Sequence, residues 1–302
     1  MVDVYIISGF LGTGKTSLIQ SLIQQKSDTA HWAVLVNEFA QHGADGAMIE
    51  AQVGGKNVDV IEVAGGCGCC AAMLPFQQAL TNLVKAGLTD VLFIEASGLG
   101  HLGNLKSNVK SWLGSAGTLR GAISLLNPQN FFNDKYRDHV IYQQQVLFAD
   151  GFVVNKTDLA EKDQLETLQS FLMQDGRPFF STTHGRLPLS WMEGTFPTNQ
   201  TTLRFSQLTT DEQSRYFSSS LTLSQTDHFL LSKVIVGLSK LTLLRFKACI
   251  MTDQGPQFIN MVQDELAVTP APKNTKDFYM EWIDEADYPV EKMKEHWQEW
   301  TA

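Results

Sequence analysis

The sequence predicts an α/β architecture: a mainly parallel sheet covered by helices, followed by a smaller α+β domain. Two observations carry this. Over the first two-thirds of the 302 residues, short β-branched runs alternate with longer stretches of helical periodicity, the pattern of strand–helix–strand units. Beyond about residue 190 the order becomes strand, helix, three strands and a last helix. The length suits about two domains, large enough to bury a core without disulfide or metal staples.

The elements follow in order. Val4-Tyr5-Ile6-Ile7 reads as a strand, followed by a glycine loop and a helix from Lys15 to about Gln25. Ala33 to Val36 and Val58 to Val63 are the second and third strands. Leu74 to Lys85 is helical; Pro75 is tolerated in its first turn, and Phe76, Leu80, Leu83 and Val84 share one face. Val91 to Ile94 is continuously apolar, as a strand buried on both faces is. Ala122 to Leu126 and Phe152 to Val154 repeat the theme. Asp158 with Glu161 reads as a capping box for a helix carrying Leu165, Leu168 and Leu172 and stopped at Gly176. Residues 186–202, with Pro188, Gly194 and Pro197, read as a linker. The expected domains are therefore 1–190 and 203–302. In the second, strands are expected near 216–223, 243–251, 256–262 and 278–283. A turn at Thr252 to Gly255 joins two of them. Helices are expected near 227–240 and around Val290, Met293, Trp297 and Trp300.

Composition narrows the function. Hydrophobic residues make up 43% and charged residues 18%, which excludes wholesale disorder. The net charge is −9, which argues against nucleic acid or an anionic membrane as the main partner. No stretch of about 18 apolar residues exists to span a bilayer, and no targeting segment is visible; a cytoplasmic location is expected. Four cysteines are too few for a disulfide scaffold, and three lie together at Cys67, Cys69 and Cys70.

The strongest motif is Gly9-Phe10-Leu11-Gly12-Thr13-Gly14-Lys15-Thr16, continued by Ser17. It fits GxxxxGK[ST] between a strand and a helix, the context the motif requires. Its glycines let the backbone wrap phosphates, and its N–H groups and helix dipole favour their charge. Lys15 would reach the β- and γ-phosphates, and the Thr16 hydroxyl would sit on Mg²⁺. Glu95, ending the strand in Leu92-Phe93-Ile94-Glu95-Ala96-Ser97-Gly98, can hold the same Mg²⁺, and the Gly98 N–H can approach the γ-phosphate. Asn155-Lys156-Thr157-Asp158 follows another strand. The Asp158 carboxylate can accept from guanine N1–H and its 2-amino group together, which adenine cannot satisfy; alternatively Asp158 caps a helix. Cys67, Cys69 and Cys70 are suited to a soft or borderline metal, a redox dithiol or a small-residue turn; an ion there would need an outside ligand or water.

Taken in order, GFLGTGKT, NEFA, GCGCC, EASG and NKTD resemble the CobW family of P-loop GTPases, from about Val2 to at least Ile259, including an RxKG-like strand at Arg245-Phe246-Lys247-Ala248. The resemblance implies a GTPase domain, a smaller C-terminal domain and zinc or cobalt held by Cys67, Cys69 and Cys70. It places Glu38 in the switch, where it would couple metal to nucleotide. It gives Asp45 a role in positioning Mg²⁺ or the attacking water, and sets His184 where the guanine pocket closes. The sequence departs from the family pattern at Ala40, Ala248 and Asn127 and lacks a histidine-rich tract; its seven histidines are scattered. The expected function is a GTP-binding and GTP-hydrolysing metallochaperone with slow intrinsic turnover that delivers metal to a client protein; a homodimer stays open. The competing classes are a metal- and nucleotide-responsive regulatory switch and an ATP-dependent kinase or ligase.

Overall fold

The computed structural model describes residues 1–38, 49, 57–64, 73–133, 136, 139–194, 196, 217–224, 226–262, 265–272, 275, 278–284 and 288–301. They fall into two compact units, within 1–196 and 217–301.

The first unit contains strands β1 (Val2–Gly9), β2 (Trp32–Glu38), β3 (Val58–Ala64), β4 (Val91–Glu95), β5 (Gly117–Leu126), β6 (Gly151–Val154) and β7 (Phe179–Ser181). Its helices are α1 (Lys15–Gln24), α2 (Met73–Ala86), α3 (Leu102–Leu113), α4 (Pro128–Phe132), α5 (Val140–Leu147), α6 (Lys162–Asp175) and α7 (Leu189–Met192). The seven strands form one sheet in the order β3-β2-β4-β1-β5-β6-β7, and every neighbouring pair is parallel. Leu18, Ile19, Leu22 and Ile23 of α1 pack on Tyr5, Ile7, Val34, Val36 and Phe93. The alternate strand residues Val4, Ile6, Leu92 and Ile94 are just as buried, so both faces of the sheet are covered. That explains why these strands read as continuous apolar runs. Truncating Leu18, fully buried, would cost about 2–5 kcal/mol.

The order positions the site. From β1 the chain crosses β4 to reach β2; from β4 it crosses β1 in the other direction to reach β5. The winding therefore reverses between β1 and β4, and ligands of open α/β sheets bind outside the carboxyl ends of strands at such a point.

The second unit contains β8 (Phe217–Leu223), β9 (His228–Phe229), α8 (Leu231–Leu238), β10 (Arg245–Thr252), β11 (Gly255–Val262), β12 (Glu265–Pro270), β13 (Phe278–Asp284) and α9 (Val290–Trp300). Its sheet runs β12-β11-β10-β13-β8, with β9 beside β10; all pairs but the last are antiparallel. Val234, Leu238, Met293 and Trp300 are the buried stripes of the two helices, and Trp300 meets Phe246 edge-on at 6.4 Å. The expected hairpin forms at Thr252↔Gly255. There Thr252 Oγ1 donates to the Gly255 carbonyl at 2.7 Å and accepts from the Gln254 N–H at 3.1 Å.

Three expectations are corrected. The Asp158–Glu161 capping box does not form: α6 starts at Lys162 with Glu161 at its N-cap and no side-chain cap bond. Its stop at Gly176, φ 82°, is as expected. The stretch read as a linker from 186 onward is part of the first unit at least to Phe196, since Leu187, Met192 and Phe196 are buried in the core beside α1. The helix expected from 227 begins only at Leu231, because His228 and Phe229 pair with Met251 and Thr252 as β9. No helix among the described residues is long and apolar enough to cross a membrane.

Candidate functional site

Gly9 to Gly14 turn the chain from β1 into α1. Gly14 has φ 94°, and a Cβ there would lie 2.4 Å from Asn155 Nδ2; both the left-handed backbone and the missing space require glycine. The buried Thr13 folds its hydroxyl back onto the Phe10 carbonyl at 2.9 Å, so this side chain closes the loop. Lys15 Nζ lies within the loop, donating to the carbonyls of Gly9 at 3.0 Å and Phe10 at 3.2 Å. Phe10 is held edge-on by Tyr136, His139 and Tyr142, with ring centroids 5.1–5.9 Å away. Ser17 is exposed in the first turn of α1.

β4 brings the second component. Thr16 Oγ1 donates to Glu95 Oε1 at 2.8 Å across 79 residues of sequence. A hydroxyl and a carboxylate oxygen side by side at the switch point are hard donors of the kind Mg²⁺ takes. The turn after β4 closes on the phosphate loop: a Cβ at Gly98 would lie 2.5 Å from the Leu11 side chain and 3.1 Å from its backbone nitrogen. This turn is held from behind by Gln145 of α5, a residue for which the sequence offered no motif. Gln145 is 1% exposed, and its Nε2 donates to the Gly98 carbonyl at 3.0 Å and the Gly100 carbonyl at 3.3 Å. Its Oε1 is buried without a hydrogen-bond partner among the described residues, as is the Tyr142 hydroxyl. Burial pushes the Tyr142 phenol far above its ordinary pKa, so it stays neutral.

The NKxD loop after β6 is the third component. Asn155, 2% exposed, donates from Nδ2 to the Thr13 carbonyl at 2.9 Å and accepts at Oδ1 from the Gly185 N–H at 2.9 Å. Its amide joins the phosphate loop to the loop after β7. Thr157 ties the NKxD loop itself to the loop after β7, its N–H and Oγ1 donating to the Thr182 carbonyl at 3.3 and 3.1 Å. Lys156 and His184 both carry positive φ, 59° and 53°, strained for residues with side chains and tolerable because these bonds fix both loops. Asp158 and His184 are exposed on the two loops.

The structure thus gathers Gly9, Gly12, Thr13, Gly14, Lys15, Thr16, Ser17, Glu95, Gly98, Asn155, Lys156, Asp158 and His184 at loops leaving the carboxyl edge of β1, β4, β6 and β7. Asp45, Cys67, Cys69 and Cys70 lie outside the described residues, as does the Glu38 side chain. The backbone still locates part of that region. Glu38, last in β2, pairs with Ala64, last in β3, three residues before Cys67. These ends open on the same edge as the phosphate loop, and β3 lies three strands from β1, about 14 Å at the usual spacing. Among the described residues no group of three His, Cys, Asp or Glu side chains could hold a metal ion.

A parallel sheet with a strand–GFLGTGKT–helix turn, an acidic strand end bonded to its threonine and an NKxD loop defines a P-loop nucleotide-binding protein. Residues 3–177 match the family model described as CobW/HypB/UreG, nucleotide-binding domain, and the chain belongs to that family. It is 36% identical over 194 residues to the zinc chaperone YeiR of Escherichia coli K12, covering 62% of this chain and 57% of that protein. It is 29% identical over 195 residues to the zinc-regulated GTPase metalloprotein activator 1 of Schizosaccharomyces pombe, covering 62% and 47%. The chain therefore spans about half the length of these relatives. The crystal structure of Zn(II)-bound YjiA GTPase from E. coli aligns over 99% of this chain and 98% of that one, with 22% identity and a TM-score of 0.46.

Proposed function

We propose that the protein is a GTP-binding, GTP-hydrolysing metallochaperone. It takes zinc, or cobalt, as cargo at Cys67, Cys69 and Cys70 and delivers it to a client metalloprotein in the cytoplasm. The first unit, which reaches at least Phe196, would be the GTPase domain, and 203–302 the C-terminal domain. The observation that carries the reading is the contact between Thr16 and Glu95, 2.8 Å, beside a lysine already held in the phosphate loop. Family membership and the zinc chaperones among its relatives support the cargo.

Each residue then has a task. Backbone N–H groups of the loop and the start of α1 receive the phosphates. Lys15 exchanges the Gly9 and Phe10 carbonyls for β- and γ-phosphate oxygens, a charge-assisted contact. Thr16 and Glu95 would hold Mg²⁺, which supplies charge neutralisation on the transferring phosphoryl group. The Gly98 N–H faces the γ-phosphate, at a turn whose carbonyls Gln145 holds. Asp158 reads guanine, and His184 closes the base pocket with Lys156. Asn155 sets the distance between base and phosphate sites. Glu38 and Asp45 would report the γ-phosphate to the cysteine segment, which leaves the sheet next to β2. The chain offers no arginine in the switch to stabilise the transition state, so intrinsic hydrolysis is slow.

The test is phosphate release from GTP by the full chain, with and without zinc, followed by zinc transfer to candidate apo-proteins. Slow GTP turnover with zinc passing to one client supports the reading. Hydrolysis of ATP as fast as GTP would overturn it.

A further inference from the structure

We propose a peptide-binding cleft on the amino-terminal edge of the first unit's sheet, remote from the phosphate loop, that takes an extended segment bearing an apolar and an acidic side chain. Two independent observations meet there. The first is an interrupted ladder. β5 pairs with β1 from Gly117 onward, but its register with β6 begins only at Ile123↔Gly151. Asp150 extends that pairing by one residue, donating its N–H to the Ala122 carbonyl at 2.7 Å and accepting from the Ala122 N–H at Oδ2, 2.9 Å. Among the described residues, 117–121 therefore have a strand on one side only. A half-open strand edge in the middle of a sheet is a template for another chain.

The second observation is a cleft of about 600 Å³ against that edge, lined by Thr118, Leu119, Lys106, Lys110, Leu113 and Phe148 among others. Its size is within the range that holds ligands. Phe148 is 41% exposed, a large apolar ring left beside a strand edge. The charges are unequal. Lys106 is engaged by Asp150 and donates to the Phe148 carbonyl at 3.2 Å, and Arg120 pairs with Asp3 at 2.8 Å. Lys110, one turn beyond Lys106 on α3 and exposed, has no ion-pair or hydrogen-bond partner among the described residues. Among the described residues, the cleft thus carries one uncompensated positive charge.

An extended peptide fits all three features. Its main chain would continue the ladder along 117–121. Side chains two residues apart fall on the same face: an apolar one would lie between Leu119, Leu113 and Phe148, and a carboxylate would reach Lys110. This inference does not depend on GTP hydrolysis or on metal, and it offers a place where a partner could dock without obstructing the nucleotide.

The experiment uses the full chain and two fluorescein-labelled pentapeptides, Thr-Leu-Thr-Glu-Thr and Thr-Leu-Thr-Lys-Thr, with a Thr-Leu-Thr-Glu-Thr peptide N-methylated at alternate residues as a third probe. Fluorescence polarisation should show the glutamate peptide binding at least about tenfold more tightly than the other two. Lys110→Glu should reverse the preference between glutamate and lysine, leaving GTP turnover unchanged as a check on folding. Hydrogen exchange at the 117–121 amides should slow when the glutamate peptide is bound. Equal binding of all three probes, an unchanged preference in Lys110→Glu, or no saturable binding up to about 1 mM would overturn the proposal.

Discussion

Asn155 offers the most quantitative test of how the site is built. Its side chain is 2% exposed and makes two hydrogen bonds of 2.9 Å, one to the Thr13 carbonyl and one from the Gly185 N–H. Asn155→Ala removes both and leaves a buried acceptor and a buried donor unmatched. At about 1 kcal/mol per bond, with a further desolvation penalty for the orphaned groups, the loss is about 2–4 kcal/mol. Because the amide joins two loops, part of that loss appears as local opening. The Gly185 amide should exchange with solvent roughly 30-fold faster or more, following the lower end of that range. Affinity for GTP and GDP should fall together, since the amide supports base and phosphate sites alike and touches nothing specific to the γ-phosphate. Asn155→Asp should be no milder: the carboxylate keeps the Gly185 bond but sets a buried negative charge against the Thr13 carbonyl. Saturating GTP should restore much of the lost stability by mass action. The assay is hydrogen exchange at Gly185 beside equilibrium titration of both nucleotides. Unchanged exchange with a selective loss of GTP over GDP would refute the bracing role.

Three further outcomes follow from the same geometry. Asp158→Ala should weaken GTP far more than xanthosine triphosphate, because the acceptor for the 2-amino group is gone; a competition titration that keeps full preference for GTP over ATP would remove the guanine assignment. Lys15→Ala should lower turnover by roughly 10²–10³-fold, and phosphate release at the wild-type rate would end the hydrolase reading. Gln145→Leu should slow single-turnover hydrolysis by about tenfold or more through misplacement of the Gly98 turn while leaving GDP affinity intact; an equal loss in GDP affinity would reduce Gln145 to a packing role.

The sheet was legible because parallel strands covered on both faces are written as unbroken apolar runs, and Val4–Ile7, Ala33–Val36 and Val91–Ile94 are all of this kind. α5 was not legible: its buried face, Ile141, Tyr142, Gln145 and Val146, includes a glutamine as polar as the half-buried Gln143 and Gln144, so the apolar stripe that periodicity detects is interrupted. β7 and β9 escaped because three and two residues are too short to show a period. The segment from Leu187 to Phe196 looks like a linker from its proline and glycine, yet Leu187, Met192 and Phe196 belong to the same core cluster as α1. In the site, glycines, Lys15, Thr16, Glu95 and the NKxD residues were readable because their chemistry demands those types at those spacings. The division of labour was not. That Asn155 braces two loops and that Gln145 holds the Gly98 turn depend on contacts between residues 30 to 142 positions apart, and that Thr13 closes its own loop depends on a side-chain bond to Phe10, three residues back, which the motif's letters do not specify. Asp158 illustrates the limit in the other direction: the capping box has the right letters, but Thr157 anchors the loop to Thr182 and the helix starts four residues later.

The central claim is that nucleotide and metal are linked through the carboxyl edge of one sheet, and reciprocal titration measures it directly. Zinc affinity is determined with no nucleotide, GDP and a non-hydrolysable GTP analogue, and affinity for the same analogue is determined with and without zinc. Linkage requires the two factors to be equal, and a coupling of about 1–3 kcal/mol, or roughly 5–150-fold, is expected. Replacing Cys67, Cys69 and Cys70 by Ser should abolish both factors while leaving GTP binding at its zinc-free value. Zinc affinity that is the same in all three nucleotide states would contradict the account and leave a GTPase whose cysteines serve another end.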